Sequence, residues 1–168
     1  MKKVLLTFAL LLTTMVASAQ FYTGGGIGFA KSESNNVEST VFTFNPEVGY
    51  NIDKNWTVGA VVGVEWKKDI ATTISVNPYA RYTIFRTGNF SFFADGILEL
   101  GSIEPDEGDS QFCWGIGVMP GVGYSFTDKV SIAAHIGWLG HRSFDDMGEQ
   151  TAIAFDGNDL SFSIYYSF

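Results

Sequence analysis

The chain has 168 residues, a formal net charge of -8 and a single cysteine, Cys113. That length fits one domain, the acidity argues against a nucleic-acid partner, and one thiol excludes an intramolecular disulfide. Nineteen glycines beside 4 Trp, 7 Tyr and 15 Phe leave two classes open at this level, a secreted sandwich or barrel and a membrane barrel.

The first 19 residues read as an export signal. Met1-Lys2-Lys3 is positive, Val4 to Leu12 is apolar apart from Thr7, and Ala17-Ser18-Ala19 is a small-residue cleavage pattern, so that Gln20 opens the mature chain. The apolar run is too short for a helical span, which needs about 20 residues. Residues 1–19 are thus expected to be a leader and 20–168 a single domain. Loss of Lys2 and Lys3 takes the charge from -8 to -10.

From Gln20 onward the apolar period is two, that of strands with unlike faces. Gln20 to Lys31 is a Gly-rich first strand, with Ile27 and Phe29 suggesting its apolar side, and polar Ser32 to Thr40 reads as a loop. Strand two, Val41 to Ile52, sets Phe42, Phe44, Pro46, Val48 and Tyr50 against Thr43, Asn45, Glu47 and Gly49. After the tight turn Asp53-Lys54-Asn55, strand three runs from Trp56 to Lys67, with Val58, Ala60, Val62, Val64 and both tryptophans on one face. Lys68 to Ala71 is a short connection. Strand four, Thr72 to Ile84, sets Ile74, Val76, Pro78, Ala80 and Tyr82 against Asn77, Tyr79, Arg81 and Thr83, and Phe85 to Asn89 turns the chain.

Strand five, Phe90 to Gly101, sets Phe90, Phe92, Leu98 and Leu100 against Phe93, Asp95, Ile97 and Glu99. An acidic loop, Ser102 to Ser110, leads to strand six, Gln111 to Phe126. There Phe112, Trp114, Ile116, Val118 and Tyr124 oppose Cys113 and several glycines. Strand seven, Val130 to Gly140, groups Ile132, Ile136 and Trp138 against Ser131, Ala133 and His135. His141 to Asn158 reads as the longest loop. Strand eight, Leu160 to Phe168, alternates Phe162, Ile164 and Tyr166 with Ser163 and Tyr165.

One eight-residue unit recurs at Asn45 to Ile52, Asn77 to Ile84 and Met119 to Phe126, each with Pro, then a small apolar residue, Tyr and a large apolar residue at alternate positions. Its prolines cannot donate to a ladder, which predicts a bulge or non-bonded site at each.

The apolar faces of strands two to eight carry no charge, whereas the opposite faces hold Glu47, Glu65, Lys67, Arg81, Asp95, Glu99 and His135 among Gly, Ser, Thr and Asn. A water-facing surface is normally rich in Lys, Glu and Asp. The rings on the apolar face would also overfill an eight-stranded interior. Both difficulties vanish if the apolar face is outside, in lipid. Trp56 and Trp66, ten residues apart on one face, then stand about 26 Å apart along the membrane normal, near the height of an apolar band with aromatic girdles. Trp56, Trp66, Trp114, Tyr124 and Trp138 are the expected girdle. The expected fold is all-β, an eight-stranded antiparallel up-and-down transmembrane β-barrel, since only closure satisfies every strand edge in lipid.

The leader, the eight amphipathic strands, the Pro-x-Val-Gly-Tyr hairpins and the terminal Tyr166-Ser167-Phe168 resemble small outer-membrane β-barrel proteins of the OmpA/OmpX type, most of all the porin-like single-domain members common in Bacteroidetes. The resemblance covers the mature chain and is specific for architecture. It implies a bacterial outer-membrane location after Sec export, outer-membrane lipid as the solvent, and Phe168 as the signal read by the barrel-assembly machinery. A monomer is expected, and the lack of a peptidoglycan-binding domain after strand eight departs from full-length OmpA-type proteins.

Candidate site residues are the inward charges. Glu47, Glu65, Arg81, Asp95, Glu99 and His135 form an expected lumen network with Arg81 at its hub, read as facing Phe93 and lying diagonal to Asp95. A paired network plugs a narrow barrel; an excess of acids would instead favour a narrow cation path. The expected role is structural or surface-interacting, without a cofactor and without enzymatic activity. His141-Arg142-Ser143 with Glu149 resembles the His-x-Ser pair and distant Glu of lipid A-deacylating barrels, but Phe144 replaces the polar residue that follows, and strand parity points His141 and Ser143 away from lipid. Asp106, Glu107, Asp109, Asp145 and Asp146 lack the ligand spacing of an EF-hand and read as a solvated rim, while Cys113 and His135 read as packing residues.

Overall fold

The computed structural model describes residues 20–34, 37–68, 70–106, 108–144, 148–154 and 160–168. The expected leader and its cleavage site, Glu107, Asp145 and Asp146 lie outside the described residues.

The described residues form ten strand segments: β1 (Phe21–Ser34), β2 (Val37–Asn51), β3 (Trp56–Lys67), β4 (Ala71–Thr87), β5 (Phe90–Pro105), β6 (Gln111–Ser125), β7 (Val130–Ile136), β8 (Trp138–Phe144), β9 (Gly148–Ala154) and β10 (Leu160–Ser167). They occupy eight positions in a closed antiparallel barrel. Each of β1 to β6 pairs with the next. β6 pairs with β7 near the short turns and with β8 towards the long loops. β9 pairs with β8 and β10 with β7. Four residue pairs, Tyr22↔Ser167 to Gly25↔Ile164, close β1 on β10.

The strands are longer than their sequence pattern suggests. β1 and β2 extend through most of the expected Ser32 to Thr40 loop, β5 continues to Pro105, and β8 with β9 form a hairpin where an irregular loop was expected. Backbone pairing needs no apolar alternation, so polar strand extensions beyond the apolar band leave no periodic signal.

Two irregularities reset the register. β4 runs to Thr87, so its turn is Gly88-Asn89, with Gly88 at φ 56°, in place of the five residues Phe85 to Asn89. A bulge between Thr83 and Phe85 then shifts the ladder by one residue. The result sets Arg81 directly opposite Asp95 and Thr83 opposite Phe93, a correction to the expected Arg81–Phe93 pairing. The second break is Gly137, at φ 85° between β7 and β8, a backbone conformation that only glycine adopts freely. One extra residue there reverses the facing of β8. Trp138 therefore points inward, 3% exposed, and does not belong to the girdle, while Leu139 faces out.

The prolines coincide with missing ladder positions. The β2–β3 register passes from Phe44↔Val64 to Glu47↔Val61, skipping Pro46, and the β4–β5 register from Val76↔Leu100 to Tyr79↔Ile97, skipping Pro78, with no bulge at either. Pro120 lies where β6 changes partner from β7 to β8, opposite the Gly137 break. Each proline thus sits where no donor is required of it.

The faces are sorted as an inverted barrel. Ile27, Phe44, Trp56, Val62, Trp66, Ile74, Trp114, Ile116, Phe162 and Ile164 are exposed on the outside, whereas Tyr22, Tyr79, Phe93 and Tyr165 are buried within. The inner rings fit because each faces a glycine on the next strand: Tyr22 pairs with Gly49, Tyr79 with Gly59, Phe93 with Gly121 and Tyr165 with Gly24. A Cβ at Gly59 would lie 2.5 Å from the Tyr79 hydroxyl, and one at Gly121 would lie 2.5 Å from the Phe93 ring. The inner glycines are the space into which the rings lie down.

Candidate functional site in the barrel lumen

The lumen is furnished from the turn end upward. A cavity of about 290 Å³ opens there, lined by Asn51, Thr57, Thr83, Arg86 and Ser131. The Asn51 side-chain oxygen accepts from Thr57 at 2.8 Å, and Arg86 donates to Thr83 at 3.3 Å. In the adjoining turn the exposed Asp53 carboxylate accepts the Asn55 and Trp56 N–H groups at 2.7 and 2.8 Å. Those two bonds hold its pKa below the usual carboxylate value.

Above that cavity lies the most buried layer of the molecule. Arg81 on β4 clamps Asp95 on β5 through two bonds, Nε to Oδ1 at 2.7 Å and Nη2 to Oδ2 at 2.8 Å. His135 on β7 joins the same carboxylate at 2.8 Å. The Arg81 guanidinium lies 4.0 Å from the centre of the Phe93 ring, close enough for a cation–π attraction. Beside this cluster the Glu47 carboxylate of β2 is held by three phenols. Tyr165 donates at 3.0 Å, Tyr22 at 3.3 Å, and Tyr79 donates to the same oxygen as Tyr22. With the Tyr79 proton on Glu47, the single Tyr22 proton is shared between Glu47 and the Tyr79 oxygen. The layer draws on β1, β2, β4, β5, β7 and β10, with Glu47 6%, Asp95 4% and His135 8% exposed. A buried charge is tolerable only with such partners.

A cavity of about 190 Å³ separates this layer from the next, touching Glu47, Asn77, Asp95, Glu99 and Met119. Above it Arg142 of β8 clamps Glu99 of β5 at 2.6 and 2.7 Å, and its guanidinium stacks 4.1 Å from the Trp138 ring. The loop end holds a lumen cavity of about 520 Å³, lined by Thr43, Asn45, Thr73, Ser75, Cys113 and the Glu65–Lys67 ion pair of 3.0 Å. Among the described residues no cluster has the make-up of a metal site.

The six expected lumen residues therefore divide. Arg81, Asp95 and His135 meet directly; Glu47 lies in the same layer on tyrosines; Glu99 pairs above with Arg142; Glu65 stands at the rim with Lys67. Arg81 shares the strands with two further arginines, Arg86 near the end of β4 and Arg142 on β8. Arg142 was hidden by the reading of that segment as a loop. Tyr79 and Tyr165 were on the inner face by parity, but their convergence on Glu47 needs the barrel closed. Opposed glycines were the available signal. Of the expected girdle, Trp56, Trp66 and Trp114 are exposed on the outside; Tyr124 is half-buried, its ring 4.8 Å from that of Phe90. The β8 parity also places His141 on the outer wall, its ring 5.7 Å from that of Trp114, contrary to the expected inward facing of His141 and Ser143.

A closed barrel with an apolar, ring-studded exterior and charges satisfied inside is a transmembrane β-barrel, the only closed-edge β-architecture that lipid permits. The model of the outer membrane protein β-barrel domain family matches residues 4–168. The chain belongs to that family and is a protein of the bacterial outer membrane. The crystal structure of Neisserial surface protein A is similar in fold, with a TM-score of 0.61 and 18% identity over 90% of this chain and 98% of that one. No curated protein matches the sequence.

Proposed function

We propose that this barrel is a structural or surface-interacting component of the outer membrane whose lumen is plugged, so that it does not conduct. The observation that carries this reading is the layer of Tyr22, Glu47, Tyr79, Arg81, Phe93, Asp95, His135 and Tyr165, buried and mutually bonded across the barrel. Passage would require parting a buried bidentate ion pair, which is strongly unfavourable when either partner is left alone in a low-dielectric interior. The wall would stand as a monomer, with lipid as its solvent and long strand extensions presented outside. Phe168, whose N–H donates to the Phe21 carbonyl at 3.1 Å, would be read by the barrel-assembly machinery.

Planar-bilayer recording of the purified barrel tests the plug: no steps above baseline at high salt are expected. The second reading, a narrow cation-favouring path, draws on the cavities above and below the layer and on Glu47, held by hydroxyls with no cation bonded to it among the described residues. Steady cation-selective steps would favour it. The proposed role requires no catalytic step. An esterase centred on Ser143 is the distant alternative, and unchanged lipid A acylation in cells expressing Ser143→Ala is the expected result.

A further inference from the structure

The reversal at Gly137 does more than bury Trp138. It puts an ionisable side chain, His141, on the lipid-facing wall. His141 is level with Ile116 of β6, two residues on the turn side of Trp114. At roughly 3.4 Å per residue and a tilt near 40°, that is about 5 Å on the bilayer side of the tryptophan. An ionisable group at membrane depth calls for a partner. Its Nδ1 lies 2.9 Å from the Thr151 hydroxyl of β9. If Thr151 gives its proton to Nδ1, the ring proton is on Nε2, which has no partner among the described residues.

Directly below His141 the outer wall is hollow. A trough of about 780 Å³ runs from Gly140 and Leu139 across to Pro78, with Ala80 and Gly96 at its floor and Leu98 and Val118 at its sides. It is almost wholly apolar. A Cβ at Gly96 would come no closer than 3.8 Å to any atom, so the hollow there is real space. This face lies in the lipid-facing band, so its occupant comes from the membrane.

We infer that one acyl lipid of the outer leaflet is held here, its chain in the trough and its ester or amide carbonyl accepting the Nε2–H of His141. The depth suits that pairing. Acyl carbonyls lie just inside the headgroup layer, where His141 stands below the Trp114 girdle. The acidic loop residues Glu104, Asp106 and Asp109 disfavour the alternative of a bare anionic headgroup as the principal contact. The seat is independent of whether the lumen conducts.

The test is photocrosslinking in phosphatidylethanolamine vesicles doped with the same lipid carrying a diazirine on its acyl chain. Labelling at Leu98, Val118 and Leu139 is compared by mass spectrometry with labelling at Val62 and Val76, which are exposed elsewhere on the same wall. The natural chain is expected to show trough labelling in excess of the reference pair. His141→Leu, which removes the donor, is expected to lower that ratio about fivefold, the weight of one hydrogen bond, and Gly96→Leu, which fills the floor, to lower it towards that of the reference pair. Both leave the inner layer untouched, and heat-modifiable migration verifies that they fold. Equal labelling of trough and reference in the natural chain, or a ratio unchanged in either folded variant, overturns the inference.

Discussion

Replacing Arg81 by alanine tests the energetic logic of the lumen most sharply. The guanidinium makes two bonds to Asp95, at 2.7 and 2.8 Å, and the side chains are 12% and 5% exposed. Truncation strands a carboxylate at the centre of the barrel with His135 as its remaining partner, and fills the space over Phe93 with nothing. Breaking a buried pair from one side costs about 3–5 kcal/mol, and the cation–π contact adds about 1 kcal/mol more. Asp95→Ala should cost a similar amount, since it strands the guanidinium. The double variant Arg81→Leu/Asp95→Leu removes both charges and keeps apolar volume, so it should lie within about 2 kcal/mol of the natural chain, because apolar replacement of a buried pair is often close to neutral. Urea unfolding of the refolded barrel in lipid vesicles, followed by tryptophan emission and gel mobility, measures all three. A single-variant loss below about 1 kcal/mol, the level of an exposed pair, or strictly additive losses, would refute the reasoning.

Other outcomes follow from the same geometry. Gly121→Val drives a methyl-bearing carbon into the Phe93 ring, 2.5 Å from a Cβ at that site, and should lower stability by about 1–3 kcal/mol through overpacking. Trp138→Phe should cost no more than about 1 kcal/mol, because the indole N–H is buried without a partner among the described residues and its removal relieves a desolvation penalty that offsets the smaller ring. The Asp53 turn should titrate. Its folded pKa is depressed by two backbone N–H bonds, so the stabilisation is whole above the ordinary aspartate value of about 3.9. It is lost as pH falls through the lower folded value, which the amide shifts of Asn55 and Trp56 in micelles report.

Much of the barrel was legible from alternation alone. Eight runs of period two, an uncharged apolar face and tryptophans ten apart on β3 are enough for closure, the outward sense of the apolar face and the location, because lipid tolerates few other solutions. What escaped has a local cause in each instance. A single glycine with positive φ at 137 inverted the parity of β8, which misplaced Trp138, His141 and Ser143 together and concealed Arg142. The shorter turn at Gly88-Asn89 and the bulge near Ile84 together moved Arg81 from Phe93 to Asp95. Bulges insert one residue without disturbing composition, so period-two reading passes through them unaware. The tyrosine cage around Glu47 was hidden for another reason. It joins residues as far apart in sequence as 118 positions, and only the closed ring brings β1, β2, β4 and β10 to one point. The glycines opposite Tyr22, Tyr79, Phe93 and Tyr165 carry that information in the sequence, as rings on one strand answered by absent side chains on the next.

The central claim is that the buried layer around Arg81 and Glu47 is what stops flow through the barrel. Single-channel recording of the natural chain beside the variant Tyr79→Ala/Arg81→Ser/Phe93→Ala tests it most directly. The natural barrel is expected to be silent, with discrete conductance steps once those three side chains are cut back. Steady steps from the natural chain, of the same size as those of the variant, would contradict it.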